Sequence, residues 1–109
     1  LSNGKNVYPE EIEAELQKVE GISEVVVYAG ESRVQKDKIT IVAEIFTDAD
    51  LLKDKGVADP QSYFEEQVKV LNAKMAPYKA VKRVKLRDVE FAKNTTRKIT
   101  RFSIDKTID

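Results

Sequence analysis

The 109 residues include no histidine and no cysteine, which leaves carboxylates, lysines, tyrosines and hydroxyls for chemistry. Serine triads built on histidine, thiolate nucleophiles, disulfides and cysteine zinc sites are excluded. So is the commonest transition-metal ligand. Glu10, Glu11, Glu13 and Glu15 form a dense acidic cluster. Paired carboxylates can do acid/base work, yet these fall on the open side of an amphipathic helix. They read first as a solvated face that compensates the helix dipole. Asp48, Asp50 and Asp54 invite a calcium reading, but the glycine and distal glutamate of an EF-hand loop are missing. No metal site is expected. The remaining candidate is the basic end. Residues 1–73 carry 8 basic and 15 acidic side chains, and residues 74–109 carry 11 and 4. A net charge of zero therefore conceals balances of −7 and +7. Such a segment can bind nucleic acid by releasing phosphate counterions. Against this, no aromatic residue interleaves with the basic ones from Lys79 to Arg87 to stack on bases. Alternatively, one lysine of the loop Lys93-Asn94-Thr95-Thr96-Arg97-Lys98 serves as a mobile point charge for a developing anion. For any single lysine, composition and spacing favour a solvated side chain.

The elements that must position these groups follow from periodicity. Pro9 with Glu10 and Glu11 starts a helix, since proline suits the first turn and acids suit its dipole. Ile12, Leu16 and Val19 give it a buried stripe, and Gly21 is its expected stop. Ile22 to Tyr28 is β-branched and strand-like, and Gly30 to Asp37 reads as a polar turn. From Ile39 to Thr47, Ile39, Ile41, Ala43 and Ile45 alternate with Thr40, Val42, Glu44 and Phe46. Apolar residues on both faces predict an interior strand. An acidic loop through Asp59-Pro60 leads to a second helix marked by Phe64, Val68, Leu71 and Met75 and ended by Pro77. Val81 to Phe91 reads as a strand with an exposed basic face of Lys82, Arg83, Lys85 and Arg87. Ile99, Phe102 and Ile104 anchor a last short helical turn. The economical packing is α+β, a small sheet with two helices on one face. The size suits one domain with one core. No apolar run approaches the roughly 20 residues that span a bilayer, and no signal peptide opens the chain, so a cytoplasmic location is the default.

Read together, the chain ends resemble a known superfamily. Gly4-Lys5-Asn6-Val7-Tyr8-Pro9-Glu10-Glu11-Ile12-Glu13 resembles the G-x-x-V-x-P-x-E-I-E stretch of adenylate-forming enzymes, which include acyl-CoA synthetases, luciferases and nonribosomal-peptide adenylation domains. Lys93-Asn94-Thr95-Thr96-Arg97-Lys98-Ile99-Thr100-Arg101 is similar to their C-terminal P-K-T-x-x-G-K-[IV]-x-R motif. Ala76-Pro77-Tyr78-Lys79 resembles the L-P-x-Y-[KM] that ends their last long helix. The three motifs occur in the right order and cover essentially the whole chain. The wording from Ser2 to Glu13 looks most like long-chain fatty acyl-CoA synthetases.

The resemblance implies that residues 1–109 are the small C-terminal lid domain, with an N-terminal hairpin, of an ATP-dependent fatty acid–CoA ligase. Leu1 in place of methionine fits a piece cut just after the family's hinge. ATP and Mg2+ are then bound mainly by the large N-terminal adenylation domain, the implied partner. Any peripheral membrane association also belongs there. First a fatty acid and ATP give acyl-adenylate and pyrophosphate; then the lid swings and CoA takes the acyl group. Lys98 matches the catalytic lysine. Gly4 matches the hairpin glycine on the CoA path, where a missing Cβ allows close approach, and Lys5 is placed near a CoA phosphate. Ala92, Asn94 and Arg97 depart from the motif's proline, threonine and glycine. Arg97 must then either accept a positive φ or adopt an ordinary conformation, pointing toward pyrophosphate or the partner domain. Two other readings stay open: the lid of a domain that loads a carrier protein, and a small nucleic-acid-binding module.

Overall fold

A computed structural model describes residues 7–32, 34 and 39–108. The expected N-terminal hairpin, with Gly4 and Lys5, lies outside the described residues. The architecture is α+β, as the patterns predict. A three-stranded sheet has the order β1-β2-β3, with β1 spanning Ile22–Glu31, β2 Ile39–Thr47 and β3 Arg83–Arg87. β1 pairs antiparallel with β2, and β3 joins β2 in parallel. A parallel partner cannot be reached by a tight turn. The β2–β3 crossover holds helices α2, Ala49–Lys55, and α3, Pro60–Asn72. Helix α1, Pro9–Leu16, precedes the sheet.

β2 is the central strand, and its alternation has a partner on each side. Ala43 and Ile45 join Val25 and Val27 of β1, Ile12 and Leu16 of α1, Leu52 of α2, and Phe64 and Val68 of α3 in the larger core. Val42 faces the other way with Val26 and Tyr28. There the C-terminal segment covers the sheet with Phe91, Ile99, Ile104 and Ile108. The sheet is thus sandwiched between helices and an irregular, mostly extended tail.

Several local expectations change. α1 ends at Leu16, so Val19 packs from a following turn. Gly21 is the pivot into β1 and not the helix stop. Its φ is 98°, and a Cβ there would sit 2.6 Å from Leu52 Cδ2. Gly30 and Glu31 belong to β1, opposite Thr40 and Ile39. The acidic loop contains α2: Asp48 caps it by accepting the Leu51 N–H, and Gly56 closes it at φ 79°. Asp48 therefore has a capping role in place of the calcium reading. Among the described residues there are three helices, not two. The last helix starts at Pro60, capped by Asp59, and the last strand stops at Arg87. The turn expected around Phe102 is a short 3-10 turn, Arg101–Ser103.

Candidate functional site

The segment 92–100 forms a small hairpin on the tail side of the sheet. Its stem pairs Lys93 with Ile99 and places Thr100 N on Ala92 O at 2.9 Å. Across the loop, Asn94 N donates to Lys98 O and Arg97 N to Asn94 O, each at 2.9 Å. This is the pattern of a short hairpin loop closed by a left-handed residue. That residue is Arg97, at φ 64°. The ordinary conformation considered for it does not occur. Asn94, which stands where the motif has threonine, organises the turn. Its Oδ1 accepts the Thr96 N–H at 3.0 Å, the Thr96 hydroxyl at 2.7 Å and the Lys98 N–H at 3.0 Å. Asparagine is favoured where a side chain must imitate a backbone turn.

Arg97 and Lys98 are both exposed, and neither forms an ion pair among the described residues. The hairpin thus offers two adjacent cations on a backbone held by asparagine. Several neighbouring basic residues are more committed. Lys93 pairs with Glu24 at 2.6 Å, while Phe91 N donates to the other oxygen of Glu24 at 3.0 Å. Arg87 reaches the buried Glu44 at 2.9 Å and stacks 4.2 Å over Phe91. Lys85 lies 3.9 Å from the same carboxylate. Of the predicted basic face, Lys82 and Arg83 are exposed, but Lys85 and Arg87 turn toward Glu44. The reason is register: Glu44 of β2 lies opposite Lys85 of β3.

The acidic cluster also divides. Glu10, Glu11 and Glu15 are exposed, as expected of a solvated face. Glu13 is not solvated, with 14% of its side chain exposed. It accepts the Val27 N–H at 2.7 Å and receives both terminal nitrogens of Arg101, at 2.8 and 2.5 Å. These bonds raise the Arg101 guanidinium above its ordinary value. Glu13, Glu24, Asn94 and Arg101 therefore hold the loop, and the sequence reading assigned none of them a site role. The turn preference of asparagine was the available signal; the glutamate partners lie too far along the chain to be paired from periodicity. Among the described residues, no group of three or more Asp, Glu, His or Cys side chains comes together to hold a metal ion. No described helix is long and apolar enough to cross a membrane.

No protein-family model and no curated protein sequence matches the chain. Among solved structures it is similar to a Mycobacterium tuberculosis fatty acyl CoA synthetase, at 27% identity and a TM-score of 0.68. The likeness covers 95% of this chain and 18% of that one. It supports an adenylate-forming enzyme fold for these residues.

Proposed function

We propose that the chain is the C-terminal lid domain of an ATP-dependent fatty acid–CoA ligase, acting on long-chain acids, with Lys98 as its catalytic lysine. The observation that carries this reading is the hairpin: Lys98 is exposed and unpaired among the described residues, beside Arg97, on a backbone fixed by Asn94. The likeness to an acyl-CoA synthetase supports it. An ammonium on a flexible stem suits the place where a carboxylate attacks the α-phosphate and negative charge gathers. Lys98 would act there by electrostatics and positioning, with Arg97 directed to the phosphates. ATP and Mg2+ would be held mainly by the large N-terminal domain. After the lid turns, Gly4 and Lys5 would line the path of CoA, a role that rests on the motif alone.

In the two-domain ligase, Lys98→Ala is expected to lower pyrophosphate exchange, which reports adenylation, by about 100-fold or more. Thioester formation from supplied acyl-adenylate should be spared. Equal loss of both steps would overturn the assignment. Transfer to a carrier protein but not to free CoA would correct the acceptor.

A further inference from the structure

We propose that Glu13 and Arg101 are positioning residues for Lys98, a clamp that fixes the hairpin relative to the sheet; the inference rests on the reading of Lys98 above. A hairpin can pivot about its stem unless both strands are held. The strand entering the loop is held by Glu24 of β1, through Phe91 N and Lys93 Nζ. The strand leaving it runs through Thr100, bonded to Ala92 O, into the turn that carries Arg101. There the Arg101 guanidinium donates through both of its arms to Glu13. Paired N–H···O bonds of this kind fix orientation as well as distance.

Glu13 is itself immobilised. The oxygen that meets one arm of Arg101 also accepts the N–H of Val27, so the carboxylate cannot turn without breaking a bond to β1. Capping that strand edge would need only the Val27 bond. The two-armed contact with Arg101 is additional, and its effect is to tie α1 and β1 to the chain three residues beyond Lys98. The geometry separates the two roles: changing Arg101 keeps the strand cap and removes the clamp.

The test compares Arg101→Leu, Arg101→Lys and Lys98→Ala in the full two-domain ligase, by adenylation kinetics and by hydrogen exchange of segment 92–100. For Arg101→Leu the expected result is a fall of about 10-fold in the kcat of adenylation with the KM for ATP nearly unchanged. Exchange in 92–100 should quicken by about 10-fold while β2 keeps its protection. Arg101→Lys, which retains charge but not the fork, should recover part of both. Lys98→Ala should lower adenylation by about 100-fold or more without changing hydrogen exchange of the segment. If Lys98→Ala leaves adenylation intact, the functional reading fails, and the positioning role fails with it. If Lys98→Ala is inactive but Arg101→Leu leaves either kcat or hairpin exchange unchanged, the clamp alone is overturned. Exchange that quickens in β2 as well would also overturn it, by showing a general structural role.

Discussion

Arg97 occupies a left-handed position, φ 64°, where an L side chain crowds its own backbone. Arg97→Gly should therefore stabilise the chain by up to about 1 kcal/mol, after allowing for the extra freedom glycine gives the unfolded state. Urea unfolding would measure it, and a lower midpoint would show that the arginine side chain contributes more than its strain costs. Tyr28 offers a second check. Burial, then its 2.7 Å bond to Glu44, pushes its ionisation well above the ordinary tyrosine range. The fold favours the neutral phenol, so this contribution is intact below about pH 10 and is lost as pH rises through the folded value. Stability should fall in that alkaline window, and Tyr28→Phe should flatten the fall in denaturant midpoints. A motif singles out Lys98 in the sequence, and Glu13 and Arg101 stand at motif positions too. Their pairing was not legible, because they lie 88 residues apart and helical periodicity does not report such contacts.

The helices show which elements periodicity can find. α3 has thirteen residues and buries Phe64 and Val68, and α1 buries Ile12 and Leu16 at i and i+4, so both stripes are readable. α2 has seven residues and a single buried side chain, Leu52, which leaves no stripe to read. Its signal was the cap. Asp48→Ala should cost about 1 kcal/mol, measurable in thermal unfolding, by removing the acceptor for Leu51 N–H. Asp59 caps α3, and the Ser62 hydroxyl and then its N–H hold the carboxyl below its usual range. The fold favours the anion, so the contribution is present above about pH 4 and is lost as pH falls through the folded value. Asp59→Asn should make the melting temperature less sensitive to acid while preserving a good cap. Unchanged acid sensitivity would place its origin elsewhere. Gly30 was read as a turn because glycine is rare in strands. A Cβ there would come within 2.4 Å of Ile108 Cγ2, a contact supplied by the far end of the chain.

The sheet is buried on both faces, by helices on one and by the tail on the other. Composition suggested one core, and alternation in β2 already hinted at two covered faces. What covered the second face was not legible, since residues 88–108 are mostly irregular and have no period. Phe91, 2% exposed, is the largest of the fully buried side chains in that smaller cluster. Phe91→Ala should destabilise by about 3–5 kcal/mol in urea unfolding, comparable with a helix-side core residue. A loss below about 1 kcal/mol would mean that the tail is only a loose cover. The charge division acquires a shape as well. Glutamates from the acidic part neutralise Lys85, Arg87, Lys93 and Arg101 and leave Arg97 and Lys98 among the basic side chains turned outward.

The bonds that seat the hairpin span 88 residues for Glu13–Arg101 and 67 for Glu24–Phe91. Contacts of such separation pay the largest loop-closure entropy and are favoured to form late. A chain made from its N-terminus has α1, β1 and β2 in hand well before the tail emerges. During that interval Val26, Tyr28 and Val42 lack the tail that covers them. On that ordering Lys98 is expected among the last features to be placed, once the tail has docked on the sheet.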